Sequence, residues 1–289
     1  FAQGGASTLF AQIPANLMNG FDSACYLDTG AWSTKAIKEA KKYGQVNVVA
    51  SSKEQQYQTV PDFSTLELDE SAAYLHLCPN ETIGGLEFAD LQETALPIVA
   101  DLSSTILSRK IDVSKYGMIY AGAQKNVGPA GVVICIVRKD LLARSSDALP
   151  TTWSFANLAK NDSMINTPPT FAIYLADLVF EWLEQQGGVE AIEQANIRKA
   201  EALYRAIDES SFYSNPIDPA YRSRMNVPFV LADESLEALF LEESEAAGLR
   251  TLAGHRSVGG MRASIYNAMP MEGVQALIDF MHSFEQRHG

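Results

Sequence analysis

Cysteine is scarce in this chain, and the few cysteines present stand alone. Cys25, Cys78 and Cys135 each lie in an apolar run, and no Cys-x-x-Cys pair or close His/Cys cluster accompanies them. This pattern argues against a structural zinc site. We therefore expect three reduced thiols buried in the core, as is typical of a cytoplasmic protein.

Positive charge is also in short supply, and long hydrophobic runs are missing. The chain has 22 Lys and Arg residues against 35 Asp and Glu residues, which gives a net charge of −13. An acidic surface repels phosphate backbones and anionic lipids, so we expect neither a nucleic acid nor a membrane as a partner. No apolar run approaches the roughly 20 residues that a membrane helix needs. No Gly-x-Gly-x-x-Gly follows a strand, which disfavours a dinucleotide-binding module.

Strand-like and helix-like segments alternate through the first half of the chain. Short apolar runs predict strands at residues 47–50, 73–78, 97–102, 117–121 and 132–137, and helical patterns cover 9–17 and 34–43. Such alternation predicts an α/β domain with a mostly parallel sheet covered on both faces. Helical patterns follow at 169–186, 189–208, 236–247 and 273–288, with strands at 225–231 and 261–266. We therefore assign residues 1–186 to a large domain and 187–289 to a smaller α+β domain.

A lysine follows the strand predicted at residues 117–121. Residues 122–131 read Gly-Ala-Gln-Lys-Asn-Val-Gly-Pro-Ala-Gly, so Lys125 would lie at the carboxyl end of a strand, where ligands of such sheets bind. A lysine that attacks an aldehyde must be partly neutral, and loss of hydration lowers its pKa. Small neighbours would leave room for a flat cofactor ring. By itself, however, the segment favours a solvated loop lysine.

An acidic residue ends another predicted strand. Asp101 follows Ile98-Val99-Ala100, and a carboxylate buried there is costly unless it has a partner. The protonated nitrogen of a pyridine ring would be such a partner, and the ion pair would make the ring an electron sink. The alternative is an aspartate that caps a helix or forms a turn.

Three further features are compatible with a phosphorylated ring. Gly4-Gly5-Ala6-Ser7-Thr8 precedes a predicted helix, and free N–H groups at a helix start bind phosphate. Any Ser-capped helix looks alike, so this signal is weak. Trp32 would stack on a ring, and Thr82 would contact its oxygen or its phosphate. A core tryptophan and a turn hydroxyl are the alternatives.

A basic cluster stands out near the C-terminus of this acidic chain. His255, Arg256 and Arg262 surround Gly259-Gly260. A guanidinium binds a carboxylate through two parallel hydrogen bonds, so the segment is suited to an anionic substrate. A basic surface loop is an equally supported interpretation.

Together these segments resemble the phosphoserine aminotransferases, a family of fold-type-I enzymes that use pyridoxal 5′-phosphate (PLP). The resemblance covers essentially the whole chain and is carried by CPNET at 78–82, ADLSSTILSR at 100–109, YAGAQKNVGPAG at 120–131, NTPPT at 166–170 and HRSVGGMRASIYN at 255–267. It implies a large PLP-binding domain with a mostly parallel seven-stranded sheet, a smaller C-terminal α+β domain, and a homodimer.

The resemblance also implies a reaction. L-Glutamate and 3-phosphohydroxypyruvate would give 2-oxoglutarate and O-phospho-L-serine, a step of serine biosynthesis. Some bacterial members also act on a phosphorylated four-carbon hydroxy-oxo acid in pyridoxine biosynthesis, which is therefore a second candidate substrate.

The family pattern implies a role for each candidate residue. Lys125 would hold PLP as a Schiff base and move a proton between Cα and C4′, and Asp101 would bind the pyridine nitrogen. Arg262 would bind the substrate α-carboxylate. The remaining contacts would be Trp32 stacked on the ring, Thr82 and Gln124 at its polar edge, Ala6 and Ser7 on the phosphate, Asn166 and Thr167 on the phosphate in the partner subunit, and His255 and Arg256 near the substrate's distal phosphate.

The chain departs from the family pattern in two places. Residues 4–7 read Gly-Gly-Ala-Ser, where some members carry Gly-Gly-Gly-Arg, so one substrate-facing arginine is absent. The chain starts at Phe1 without an initiator methionine, and members have roughly 70 further N-terminal residues, including a His-Arg pair for the distal acid of the substrate. We expect that this segment is missing here and that its absence would leave the active site incomplete.

The same residues are compatible with other functions. A serine–glyoxylate aminotransferase or a cysteine desulfurase would have the same fold type, although the latter needs a mobile catalytic cysteine. A non-catalytic fragment that keeps only the fold is an alternative of another class.

Overall fold

A seven-stranded sheet forms the centre of the molecule. The computed structural model describes residues 1–88 and 94–289. The strands are β1 (Ala2–Gly4), β2 (Ser23–Asp28), β3 (Gln45–Ser51), β4 (Leu75–Leu77), β5 (Asn80–Glu81), β6 (Leu86–Glu87), β7 (Ile98–Asp101), β8 (Met118–Gly122), β9 (Gly131–Val137), β10 (Tyr213–Ser214), β11 (Asn226–Leu231) and β12 (Met261–Ser264). The α-helices are α1 (Ala6–Leu17), α2 (Ala31–Ala40), α3 (Lys139–Leu142), α4 (Phe155–Lys160), α5 (Thr170–Gln185), α6 (Gly188–Asp208), α7 (Glu237–Ala246) and α8 (Met271–His288).

The central sheet has the mostly parallel form that the sequence predicts. Its strand order is β1-β9-β8-β7-β4-β2-β3. The strand β9 is antiparallel to both of its neighbours, and the four other pairings are parallel. The five predicted strands of this region are confirmed. The sequence pattern did not predict two further strands, β1 and β2, because β1 has only three residues and β2 contains no β-branched side chain.

The middle strands are buried on both faces. Tyr26 and Tyr120 pack on one side with α1 and α2, whereas Leu27 and Ile119 pack on the other side with Ala176 of α5. All five residues of β8 are buried. Because both faces are dry, charged side chains are tolerated chiefly where the strands end, and the carboxyl ends of the parallel strands share one edge.

The predicted helices are present with small shifts at their ends. The helix α1 begins at Ala6 rather than at residue 9, and its N-cap, Gly5, forms no side-chain cap. The helices α5 and α6 lie within one residue of the predicted bounds. No helix within residues 1–88 and 94–289 is both long and apolar enough to cross a membrane.

A second core lies in the C-terminal region. The strands β10, β11 and β12 form an antiparallel sheet, against which α6, α7 and α8 pack. The Phe240 ring centroid lies 5.8 Å from that of Phe229 and 5.0 Å from that of Phe284, both at edge-to-face angles. This arrangement agrees with the α+β composition predicted here. The domain boundary at residues 186 and 187 falls between α5 and α6 and stays a prediction.

A short hairpin of β5 and β6 connects the two regions. Its turn contains Gly85 with φ +81°, and a methyl group at this glycine would collide with Pro228 of β11. The carbonyl of Gly85 accepts a hydrogen bond from the backbone N–H of Ser223 (2.8 Å). Both the backbone conformation and the close contact therefore require glycine at this turn.

A histidine lies in the dry interior of the sheet. His76 of β4 is 2% exposed, and its ring stacks on Tyr26 with 4.8 Å between the centroids. Its Nε2 is 2.8 Å from the hydroxyl of Tyr120. Burial lowers the pKa of His76 to about 3 because the charged imidazolium would lose its hydration.

We expect His76 to make the fold less stable in mild acid. The unfolded chain protonates this residue near pH 6.5, whereas the folded chain does so near 3. Between these values the unfolded state binds the extra proton, so the free energy of unfolding falls with pH by up to about 1.4 kcal/mol per unit. Urea unfolding of His76→Gln between about pH 6.5 and 4 should therefore have a flatter pH dependence than the wild type. The exposed His282→Gln is the control; equal slopes in all three proteins would contradict the assignment.

Candidate active site

Asp101 is a buried carboxyl group at the end of β7. It is 6% exposed, and its Oδ1 accepts hydrogen bonds from the backbone N–H (2.9 Å) and the hydroxyl (2.5 Å) of Ser103. Burial raises the pKa of Asp101, whereas Ser103 and the nearby charge of Lys125 lower it. The carboxyl group is therefore placed where a cationic partner would stabilise its ionised form.

Lys125 lies in the turn that follows β8, the strand next to β7. Its Nζ is 5.5 Å from the ring centroid of Trp32, and its charge acts on Asp101. Lys125 is half-buried, and the hydroxyl of Ser103 accepts a hydrogen bond (3.0 Å) from the backbone N–H of Gly122 at the start of this turn. The pairing of β7 with β8 thus brings the predicted lysine and aspartate to one sheet edge.

Trp32 lies in the first turn of α2, beside this edge. Its indole Nε1 donates a hydrogen bond to the Oγ1 of Thr82 (2.8 Å), and Thr82 is 4% exposed. Lys35, on the same helix, has its Nζ 4.1 Å from the Trp32 ring centroid. The orientation of the indole ring is therefore restrained by Thr82.

Arg262 of β12 joins the group from the C-terminal sheet. Its Nη1 donates to the carbonyl oxygen of Thr82 (3.1 Å). Its Nε is buried and has no hydrogen-bond partner within the described part of the chain. A buried guanidinium N–H without an acceptor is costly, and a ligand carboxylate is the acceptor that suits its planar geometry.

Asn126, the residue after Lys125, connects this turn to both regions. Its Nδ2 donates to the carbonyl oxygen of Ser104 (2.9 Å), and its Oδ1 accepts from the backbone N–H of Asn267 (3.1 Å). Asn126 is 5% exposed, so both bonds are shielded from water. The lysine turn is thus held between the sheet edge and the segment that follows β12.

The grouped residues suit a phosphorylated pyridine aldehyde. Lys125 supplies an amine for the aldehyde, Asp101 a buried anion for the ring nitrogen, and Trp32 a flat surface. The start of α1 has no acidic residue in its first turn, so its backbone N–H groups and helix dipole are available to a phosphate. The chemistry of this donor set fits PLP.

Other predicted cofactor contacts lie outside this group. Ala6 and Ser7 form the start of α1, as a phosphate site there requires. Gln124 is exposed and its Oε1 lies against Gly122. Asn166 and Thr167 are exposed in the segment before α5, where Asn166 accepts a hydrogen bond from Gln3 (2.8 Å). Their predicted roles stay predictions.

The loop with His255 and Arg256 also stands apart. His255 Nδ1 pairs with the hydroxyl of Ser257 at 2.7 Å, and Arg256 is exposed. Across residues 1–88 and 94–289, no hydrogen bond joins either residue to Lys125, Asp101 or Arg262. Their contact with a distal phosphate stays a prediction.

Sequence reasoning missed three buried polar residues of this site. Glu81, Ser103 and Asn126 are each at most 5% exposed, and each is adjacent in sequence to, or bonded to, a predicted site residue. They belong to the quoted segments, yet only their neighbours received roles. A polar residue within two positions of Asp101 or Lys125 is the signal that could have revealed Ser103 and Asn126, whereas Glu81 acts on a helix 49 residues away and has no local signal.

Comparison with known proteins identifies the family. The class-V aminotransferase family matches residues 1–277. A phosphoserine aminotransferase of Marinomonas sp. (strain MWYL1) is 86% identical over 289 residues, covering 100% of this chain and 80% of that protein. The chain belongs to the phosphoserine aminotransferase family.

Solved structures of phosphoserine aminotransferases have the same fold. The one from Bacillus circulans subsp. alkalophilus has a TM-score of 0.98 and 49% identity, covering 100% of this chain and 80% of that chain. Another, solved in a study of radiation damage to its Schiff base, has a TM-score of 0.95 and 47% identity, covering 99% of this chain and 80% of that chain. These matches confirm the predicted fold type, the aminotransferase activity and PLP as the cofactor.

The cysteines do not suit the desulfurase alternative. Cys25 and Cys78 are buried, and burial raises the pKa of both thiols. Burial also raises the pKa of Cys135 to about 12. A catalytic cysteine needs an accessible thiolate, and these environments disfavour one.

We expect Asn126→Ala to destabilise the fold by about 1–3 kcal/mol, because the carbonyl of Ser104 and the N–H of Asn267 would lose a buried partner. Urea unfolding at pH 7 measures the change. The exposed Asn161→Ala, which removes a bond to the carbonyl of Asn157, should cost less than about 0.5 kcal/mol. Equal losses in the two variants would mean that Asn126 does not hold the lysine turn.

Proposed function

We propose that the chain transfers the amino group of L-glutamate to 3-phosphohydroxypyruvate, forming 2-oxoglutarate and O-phospho-L-serine. The single observation that carries this proposal is that Lys125, Asp101 and Trp32 meet at one edge of the central sheet and are linked through Thr82 to Arg262, whose buried Nε has no hydrogen-bond partner among the described residues. The name of the 86% identical Marinomonas relative, a phosphoserine aminotransferase, supports phosphoserine as one of the amino acids of this reaction. The phosphorylated four-carbon acid of pyridoxine biosynthesis remains a second candidate substrate.

Lys125 is the covalent and proton-transferring residue of this proposal. Its amine would hold PLP by condensing with the aldehyde carbon, with loss of water, until the amino group of glutamate takes its place. The freed Nζ would be the base that moves a proton between Cα of the substrate and C4′ of the cofactor. A half-buried lysine in a turn can reach both atoms, because its four-carbon stem is flexible.

Asp101 sets the electronic state of the cofactor. When bound, PLP supplies an electron sink that stabilises negative charge at the substrate Cα. The carboxylate of Asp101 would keep the ring nitrogen protonated, and Ser103 fixes that carboxylate through two hydrogen bonds. Trp32 would stack on the ring, and Thr82 and Gln124 would hold its polar edge.

Arg262 holds the α-carboxylate of the substrate. The bond from its Nη1 to Thr82 orients the guanidinium, and its buried Nε remains for the ligand. His255 and Arg256 contact the distal phosphate. Glutamate and the phosphorylated oxo acid bind one after the other at this site, as a ping-pong reaction requires.

A second copy of the chain completes the phosphate site. Ala6 and Ser7 bind the phosphate from their own subunit, and Asn166 and Thr167 reach it from the partner. The helix that follows Thr167, α5, exposes Phe171 (71%), Tyr174 (57%) and Leu178 (40%) on one face. Such a stripe supports a homodimer contact next to these two residues. A reducing, cytoplasmic location agrees with the three free cysteines.

We expect Lys125→Ala to abolish transamination and the visible PLP band that borohydride bleaches, because no amine would remain at the aldehyde. After borohydride reduction of the wild type, mass spectrometry should find the cofactor on the peptide with Lys125. The surface variant Lys41→Ala is the control and should behave like the wild type. Attachment at Lys35, the other lysine over Trp32, would refute the assignment.

We expect Arg262→Ala to raise the KM for glutamate by about tenfold to a hundredfold, because a charge-assisted pair of hydrogen bonds is lost. Arg262→Lys keeps the positive charge but lacks the planar guanidinium, so its KM for glutamate should lie between those of the wild type and Arg262→Ala. Steady-state kinetics with the exposed Arg250→Ala as control measures the effect. An unchanged KM for glutamate in Arg262→Ala would rule out the carboxylate role.

A further inference from the structure

A second buried carboxylate, Glu81 of β5, lies at the start of α2. Its Oε2 accepts a hydrogen bond from the backbone N–H of Trp32 (2.8 Å). Its Oε1 accepts from both the backbone N–H and the hydroxyl of Ser33 (2.8 Å each). Glu81 is 1% exposed, and burial raises its pKa to about 7 although these donors oppose the rise. A carboxylate with three donors at a helix N-terminus is a strong local anchor.

The helix is built to receive a carboxylate from elsewhere in the chain. The N-cap of α2 is Gly30, which has no side chain to cap the free N–H groups, and the first turn contains no acidic residue. A Cβ on Gly30 would lie 2.5 Å from Cδ of Glu81. The φ of Gly30 is 163°, which is extended, so space rather than backbone conformation requires glycine here. Glu81 thus replaces the missing cap from 49 residues away in sequence.

Glu81 and Thr82 together hold Trp32 at two points. Glu81 binds its backbone N–H, and Thr82 binds its indole N–H (2.8 Å). Because the two acceptors are consecutive residues, the backbone and the ring of Trp32 are fixed to the same short segment. The carbonyl of Thr82 also accepts a hydrogen bond from Arg262 (3.1 Å), so the aromatic ring and the guanidinium share one support.

We propose that Glu81 is a positioning residue that fixes the plane of the Trp32 ring against the cofactor. The proposal rests on the stacking role assigned to Trp32 in the proposed function. Glu81 acts through Trp32, and its contribution is to keep the indole in the stacking orientation before the cofactor binds.

The test is Glu81→Gln in the chain labelled with 5-fluorotryptophan. The amide keeps the shape but has one acceptor oxygen and one NH2 group, so it cannot accept from the backbone N–H groups of both Trp32 and Ser33, and the negative charge is lost. The chain contains three tryptophans, Trp32, Trp153 and Trp182, and Trp32→Phe assigns the first ¹⁹F resonance. Without PLP, we expect the Trp32 resonance to shift and broaden while the other two stay unchanged. Fluorescence titration should then give a Kd for PLP that is about tenfold higher or more.

Two further variants separate positioning from general destabilisation. Glu87→Gln removes the charge of another buried carboxylate, which pairs with Arg224, so it should lower Tm without moving the Trp32 resonance. Gly30→Ala pushes the Glu81 carboxylate away and should reproduce the Glu81→Gln spectrum. In a Glu81→Ala background, Gly30→Ala should change the Trp32 resonance little further, because the Glu81 side chain that the new methyl group would meet is absent.

The outcomes are distinct. An unmoved Trp32 resonance in Glu81→Gln, or a Kd for PLP within about twofold of the wild type, would overturn the positioning role. If Glu81→Gln fails to fold, Gly30→Ala decides by the same two measurements. Failure of the wild type itself to bind PLP would instead overturn the proposed function, while the resonance measured without PLP would still report on the anchor.

Discussion

The structure depends on one constraint: the central parallel strands are buried on both faces. Within the described residues, β8 presents only buried side chains and β7 ends on a buried acid, so ionisable groups collect where these strands stop. Asp101 and Lys125 meet because β7 and β8 are hydrogen-bonded neighbours that run in the same direction. The grouping of Asp101 with Lys125 is therefore a consequence of strand order, because the carboxyl ends of parallel strands share one edge of the sheet.

The side-chain amides of buried asparagines connect this edge of the central sheet to the C-terminal sheet. Asn80 and Asn126 both bind Ser104, through its hydroxyl (2.7 Å) and its carbonyl (2.9 Å), and Asn80 also donates to Asn226 of β11 (3.2 Å). Asn126 accepts from Asn267 just beyond β12. In a medium of low dielectric constant such bonds are costly to break singly, so Lys125 and Arg262 are held in one rigid frame although they lie on different sheets.

The sequence predicted the parallel sheet and the long helices because each depends on local patterns, whereas the lysine–aspartate pair rested on the resemblance to a known family. Apolar runs mark β7 and β8. Asp101 is the last residue of β7, and Lys125 lies in the turn that follows β8. It did not reveal Glu81, because a carboxylate that caps a helix 49 residues away has no local signature. It also left His255, Arg256, Asn166 and Thr167 as predictions, since their roles depend on a substrate or on a second subunit. The strand β2 was missed because it lacks the β-branched residues that a strand prediction relies on.

The hairpin of β5 and β6 supports more of the site than its length suggests. Its turn admits no side chain at Gly85, which is packed against Pro228. Glu81 and Thr82, where the turn begins, both bind Trp32, and Thr82 also binds Arg262. An insertion or deletion in this turn would shift the aromatic ring and the guanidinium together. The length of the β5–β6 turn should accordingly be the same in all active relatives, whereas the length of exposed turns such as the one at residues 161–164 can vary.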